Sequence, residues 1–279
     1  MLTERRRIVL RAVVDHHVAS AAPVGSSILA QRYVANVSAA TIRNELGALE
    51  TQALLYQPYT SAGRLPTQAG YRRVVDDILQ RPVTTVQSSS SAAYPHQELH
   101  FALRKSSAAN GSLLMAELFR AVVFHLAAAT KNLALLTVPS KTANTSMDRT
   151  QKTPASRIAS RPTRPSFLFY NGLANLLTQP EFSLPVPERE QKIKGFQRLV
   201  GMLENESKLV DILESCSHEN RVVVSIGEEN CASGLSDLSL ITSRYSGGVI
   251  AAIGPTRMNY DQAISAVSTA AHTLDDILE

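Results

Sequence analysis

The order of patterns in the first 80 residues constrains the fold of this chain more strongly than any other feature. Apolar residues recur at helical spacing over residues 4–18, around Leu29, and over residues 39–52. A short strand pattern follows at residues 54–57, and turn-forming residues separate it from a return strand. Three helices followed directly by a hairpin predict a winged helix-turn-helix over residues 1–80.

The third helix is expected to present a small, polar face to solvent. Its predicted buried stripe consists of Ile42, Leu46 and Leu49. At about 100° per residue, Arg43 and Asn44 lie on the other side of the helix. Arg can pair with guanine, and Asn with adenine, on base edges in the major groove. We therefore predict DNA contacts from Ser38, Thr41, Arg43 and Asn44. An ordinary solvated helix face would have the same composition.

The tip of the hairpin offers small hydroxyl side chains and a guanidinium within the run YQPYTSAGRLP. Such groups commonly donate hydrogen bonds to the phosphates of DNA. The predicted contacts here are Thr60, Ser61 and Arg64. A hairpin directly after a recognition-type helix is a wing, so the two elements together predict that this domain binds double-stranded DNA.

Beyond residue 80, composition divides the chain into a predicted linker (81–95), an α/β domain (96–138 and 167–279) and an insertion (139–166). The insertion is rich in Ser, Thr and Pro, and its basic residues outnumber a single acidic one, Asp148. Low hydrophobicity and repeated prolines predict a flexible, partly disordered segment. Its basic residues leave a phosphate-binding tether open as an alternative. The predicted fold class is α+β, with antiparallel strands joined at Gly247-Gly248.

Composition indicates a cytoplasmic protein that is neither an enzyme nor membrane-bound. The net charge of +4 is compatible with a nucleic-acid partner. No apolar stretch approaches the roughly 20 residues of a membrane-spanning helix. Phosphate-binding loops and nucleophile motifs are missing from the sequence, so we expect no catalytic site and no cofactor. Cys216 and Cys231 lack the spacing of metal ligands and are expected to be reduced thiols, and no metal is expected.

Several segments, taken in order, resemble one protein family. The first is APVGSSILAQRYVANVSAATIRNELGALETQALLYQPYTSAGRLPTQAGYRRVVDDIL, in the predicted winged helix. The segments FLFYNGLANLLTQPEF, VVVSIGEEN, LSLITSRY and GVIAAIGPTRMNYDQAISAV follow toward the C-terminal end. They resemble the family of the heat-inducible transcription repressor HrcA. Members of that family usually carry a longer stretch before the FLFYNGLANLL segment, and more often have His where this wing has Tyr59.

The resemblance implies a bacterial homodimer that binds an inverted-repeat operator, called CIRCE, ahead of chaperone operons of the GroE and DnaK type. It also implies a GroE-type chaperonin as partner, which helps to keep the repressor active until heat draws the chaperonin to unfolded clients. The implied fold is a winged helix, a GAF-like α/β domain and an inserted dimerisation segment, which is shortened here.

A regulator of another class remains open as the alternative: a ligand-gated transcriptional regulator that senses a small molecule through its GAF-like domain. The turn at Gly247-Gly248 and residues 254–260 would then line a pocket, with Arg257 as the anchor for an anion. A structural turn with Arg257 paired locally would produce the same sequence pattern.

Overall fold

The computed structural model describes residues 2–34, 37–81, 111–139, 166–180, 188–218, 221–230 and 232–278. The linker predicted over 81–95 and the insertion predicted over 139–166 lie outside the described residues, apart from residues at their borders. So does the predicted α/β domain before residue 111. The described part combines helices and sheets, which confirms the α+β fold class.

The first 80 residues form the predicted winged helix. Its helices are α1 (Glu4–Ser20), α2 (Ser26–Arg32), α3 (Ala39–Thr51) and α4 (Gln68–Leu79), and its hairpin consists of β1 (Leu55–Tyr56) and β2 (Leu65–Pro66). Thr67 starts α4 with a side-chain cap, since its hydroxyl accepts the backbone N–H of Gly70 at 3.1 Å. The two strands pair antiparallel, as predicted.

A further segment, outside the two strands, pairs with the wing through backbone hydrogen bonds, and the sequence pattern did not predict it. Val24, between α1 and α2, forms an antiparallel bridge with Arg64 through hydrogen bonds of 3.1 and 2.9 Å. Gly63 passes so close that an added Cβ would lie 2.4 Å from the backbone of Val24. The wing is thus fastened to the helical body, and only a residue without a side chain fits at position 63.

The C-terminal part is a five-stranded antiparallel sheet between two layers of helices. Its strands are β3 (Leu133–Pro139), β4 (Ser166–Asn171), β5 (Val223–Ile226), β6 (Leu238–Tyr245) and β7 (Gly248–Pro255), in the spatial order β4-β3-β7-β6-β5. Its helices are α5 (Gly111–Thr130), α6 (Leu173–Leu177), α7 (Glu188–Glu204), α8 (Glu206–Ser215) and α9 (Tyr260–Leu278). Tyr245 pairs with Gly248 across a two-residue turn, so the predicted hairpin is confirmed.

Successive side chains of a strand point to opposite faces of the sheet, so the two faces pack into two different apolar clusters. Leu133 and Leu135 of β3 pack with α7 and α8, whereas Ala134 and Leu136 pack with α5 and α9. The α5–α9 cluster continues without a break into the core of the winged helix. The two parts of the chain therefore share apolar packing. Across the described ranges, no helix combines the length and apolar character needed to cross a bilayer.

The prediction of reduced cysteines was wrong for Cys216, which is disulfide-bonded. The chain has one other cysteine, Cys231, whose position lies outside the described residues. Spacing along the sequence excludes a metal motif but does not reveal which distant elements the fold brings together.

Candidate nucleic-acid interface

The orientation predicted for α3 is confirmed by its burial pattern. Ile42, Leu46 and Leu49 are 0%, 4% and 0% exposed, while Arg43 and Asn44 are exposed. Between the described residues, no hydrogen bond or ion pair occupies the side chain of either Arg43 or Asn44. Within the part of the chain that the structure describes, neither side chain is therefore committed to a partner or needed to hold α3 in place.

Ser38 and Thr41 fix the beginning of α3. The Ser38 hydroxyl accepts the backbone N–H of Thr41 at 3.1 Å, and the two hydroxyl oxygens lie 2.9 Å apart. This is an N-cap, which satisfies a backbone donor that has no partner inside the helix. Ser38 lies beside the positive end of the helix dipole, where an anionic phosphate is favoured.

The tip of the wing holds Thr60 and Ser61 in exposed positions. Gln57, which the sequence pattern did not identify, shapes this tip: its side-chain amide donates to the carbonyl oxygens of Thr60 at 2.7 Å and Ala62 at 2.9 Å. A glutamine between a strand and a turn gives no recognisable signal for such a role. We call the set Ser38, Thr41, Arg43, Asn44, Thr60, Ser61 and Arg64 the reading surface.

Arg64 is part of an ion pair within the winged helix. Its Nε donates to Oε2 of Glu50 on α3 at 3.0 Å, and a second guanidinium nitrogen lies 2.9 Å from the same oxygen. A guanidinium carries five N–H donors, so this pairing leaves others for a phosphate. Glu50 therefore links the wing to α3. No sequence spacing predicted this link, because the partners belong to different elements.

A second acidic residue of α3, Glu45, ties the helix to α1. Arg6 Nε donates to Glu45 Oε2 at 3.0 Å, and Arg5 lies 3.9 Å from the other carboxylate oxygen. The side chain of Arg5 is 58% exposed, so it adds positive charge beside α3.

The reading surface and the contacts with the C-terminal domain use different elements. α3 packs on α1, α2 and β1, whereas α4 packs on β5 and α9. α1 also contacts that domain, through the backbone carbonyls of His17 and Val18 and through an ion pair between Arg11 and Asp261. The main contacts of α3 thus lie within the winged helix, whereas α4 also packs on the C-terminal domain.

Arg257, the anion anchor of the ligand-gated alternative, has protein partners. Its guanidinium donates to the His17 carbonyl at 3.3 Å and to the Val18 carbonyl, and its side chain is buried. Among the residues that the structure describes, no three His, Cys, Asp or Glu side chains converge as metal ligands would. The structure thus adds nothing in favour of a small-molecule site at residues 254–260.

The sequence is similar to known proteins along nearly its whole length. A family model described as the HrcA protein C terminal domain matches residues 122–264. The heat-inducible transcription repressor HrcA of Roseiflexus sp. (strain RS-1) is 29% identical over 99% of this chain and 94% of its own length. The protein of the same name from Synechococcus elongatus is 28% identical over 99% and 98%. Its alignment runs over 355 positions, more than the 279 residues of this chain, so that relative carries segments missing here.

A solved structure shows the same fold. It is the crystal structure of a hypothetical protein at 2.2 Å resolution, with a TM-score of 0.70 over 99% of this chain and 98% of the other. At 17% sequence identity, this likeness concerns the arrangement of helices and strands alone.

Proposed function

This chain belongs to the HrcA family, and we propose that it represses chaperone operons of the GroE and DnaK type by binding an inverted-repeat CIRCE operator. Its relatives share the name heat-inducible transcription repressor HrcA, which supports a transcriptional repressor of heat-shock genes. The observation that carries the proposal is the pair Arg43 and Asn44, which lie on an exposed face of α3 directly beside a wing and have no partner among the described residues. Such a pair fits base readout in the major groove.

Six residues of the reading surface divide into two roles, and the seventh, Thr41, holds the Ser38 hydroxyl at the start of α3. Arg43 and Asn44 read base edges, because they are exposed and no described residue occupies their donors and acceptors. Ser38, Thr60 and Ser61 contact phosphates, which position the protein without carrying sequence information. Arg64 does the same with the donors that Glu50 leaves available.

We propose that the repressor acts as a homodimer. One winged helix covers one half-site, and a two-fold axis relating two copies requires an inverted repeat in the DNA. Binding of the second half-site is then intramolecular and gains effective concentration. The proposed DNA-binding domain is residues 1–80, and the proposed regulatory and dimerisation domain comprises residues 96–138 and 167–279.

The heat response needs no dedicated sensor site. Protein domains are stable by only about 5–15 kcal/mol, so moderate heating populates loosened states. The winged helix shares one apolar cluster with α5 and α9. Loosening of the C-terminal domain therefore exposes apolar surface and disturbs the DNA-binding domain as well. A GroE-type chaperonin in the cytoplasm is the partner that we propose for this exposed surface.

Transcription in vitro tests this proposal. The template carries a CIRCE-type inverted repeat at its promoter, and the control template carries the same bases in scrambled order. We expect repression of the first template only, with loss of repression on heating that is slower when chaperonin is present. Equal transcription from both templates at every temperature would refute the proposed operator.

A further inference from the structure

We propose that Arg257 and Glu229 are positioning residues, which hold the winged helix on the C-terminal domain in the orientation that lets a dimer bind both half-sites. This inference rests on the proposed dimeric repressor. It assigns to the segments VVVSIGEEN and GPTRMNY the role of docking the DNA-binding domain.

Arg257 anchors the C-terminal end of α1. It lies in the loop between β7 and α9 and is 9% exposed. Its guanidinium donates to the carbonyl oxygens of His17, at 3.3 Å, and Val18. The His17 carbonyl also accepts the backbone N–H of Ala21 at 2.9 Å, and carbonyl groups in the last turn of a helix carry its negative end charge. A buried guanidinium complements that charge, so this contact holds the end of α1 against the C-terminal domain.

Glu229 anchors α4 through Arg72. Arg72 Nε donates to Glu229 Oε1 at 2.9 Å, and a second nitrogen of the same guanidinium donates to Oε2. The carboxylate is itself held, since it accepts the backbone N–H of Ile226 at 2.9 Å. Arg72 also donates to the Val224 carbonyl at 2.6 Å. A guanidinium–carboxylate pair joined by two hydrogen bonds fixes the relative orientation of the two side chains as well as their distance.

The surroundings of the Arg72 guanidinium favour its charged form. Burial alone would lower the pKa of the Arg72 guanidinium, but hydrogen bonding to Glu229 and the negative charges of Glu229 and Asp76 outweigh it. The pKa of Arg72 is therefore raised above its ordinary value.

Gln68 strengthens the same anchor one turn before Arg72. Its side-chain amide donates to the Ile226 carbonyl at 2.6 Å and accepts the Glu228 N–H at 3.4 Å. The intervening Gly227 has a φ of +56°, and an added Cβ would lie 2.7 Å from the Gln68 amide oxygen. The turn after β5 is thus shaped to receive α4.

The two anchors act on different helices, which is why they set an orientation. One holds α1 and the other holds α4, and the rings of Tyr71 and Tyr260 lie 5.9 Å apart in the same junction. A body held at two separated points can turn only about the line that joins them, and the apolar cluster shared by the two parts opposes that turn. In a dimer, fixed orientation places the second α3 at one defined spacing, whereas a freely turning domain would reach many spacings, each at lower effective concentration.

Binding to three duplexes tests this inference: a single half-site, the inverted repeat, and the repeat with about five base pairs inserted, which turns one half-site by about half a helical turn. The variants are Arg257→Ala and Glu229→Ala, measured in the full chain by fluorescence anisotropy. Each variant should keep half-site affinity within about twofold, and lower the preference for the repeat over the half-site by about tenfold or more. The penalty of the insertion should shrink in both variants.

Arg198→Ala is the matched control. It removes an Arg–carboxylate pair of 2.7 Å with Asp237 that lies wholly within the C-terminal domain, and it should leave all three affinities unchanged. Unaltered repeat preference and spacing dependence in both test variants would overturn the inference. Equal losses on half-site and repeat would also overturn it, since they would indicate a role in folding of the winged helix. A wild-type protein without preference for the repeat would refute the dimeric function itself, and the inference with it.

Discussion

Replacement of Asn44 by alanine separates base readout from folding, because Asn44 lies on the surface of α3. Its side chain is exposed and has no hydrogen bond to the other described residues. Alanine is also a better helix former than asparagine. The free energy of unfolding of Asn44→Ala should therefore stay within about 0.5 kcal/mol of the wild-type value.

The expected reduction of operator affinity is large by comparison. Removal of an amide group that pairs with one adenine costs about 1–3 kcal/mol. A dimer on an inverted repeat uses Asn44 twice, so binding to the full repeat should weaken by about 2–6 kcal/mol, which is a factor of about thirty to more than ten thousand. Affinity for scrambled DNA should not change, because phosphate contacts supply nonspecific binding.

Fluorescence anisotropy at constant salt measures both affinities, and thermal melting confirms that the variant is folded. Gln52→Ala is the matched control, since Gln52 is exposed at the other end of α3 and should leave operator binding unchanged. An equal reduction of affinity for operator and scrambled DNA in Asn44→Ala would refute the assignment of this residue to base readout.

Three further predictions concern the wing and α1. Arg64→Ala should weaken binding to all DNA sequences. In a salt titration, the slope of log affinity against log salt should fall by about one unit for each phosphate that is no longer neutralised. An unchanged slope would argue against a phosphate contact. Gly63→Ala should displace the wing, because the new methyl group would meet the backbone of Val24. Operator affinity should then fall although the packing of α3 is unchanged, and unaltered binding would contradict this. Burial and the positive charge of Arg32 lower the pKa of His16 from 6.5, so the unfolded chain binds a proton that the folded one does not. The free energy of unfolding should fall as pH drops below about 6.5, and His16→Gln should flatten this dependence in denaturant titrations at about pH 5.5 and about pH 7.5.

Local periodicity predicted the elements of the winged helix because each depends on residues close together in the chain. Ile42, Leu46 and Leu49 determine which face of α3 is buried, and hence that Arg43 and Asn44 are exposed. The resemblance to HrcA segments extended this prediction to the C-terminal sheet, where the β6–β7 hairpin was also visible as a turn.

Contacts between distant residues were not predictable in the same way. The bridge between Val24 and Arg64 joins a helix-breaking segment to the wing, and neither partner has a pattern that points to the other. Arg257 is the clearest case, since an anion anchor and a structural arginine look alike in sequence. Only the fold places its guanidinium on carbonyls of α1, some 240 residues earlier in the chain.

Recognition of an inverted repeat is tested by a salt-titrated anisotropy measurement on three duplexes: the repeat, a single half-site and a scrambled sequence. We predict tight binding to the repeat, weaker binding to the half-site and the weakest binding to scrambled DNA, with a preference that persists as salt rises and phosphate contacts weaken. Equal affinity for all three duplexes, with one common salt dependence, would contradict sequence-specific repression and would indicate a basic winged helix that binds DNA without reading its sequence.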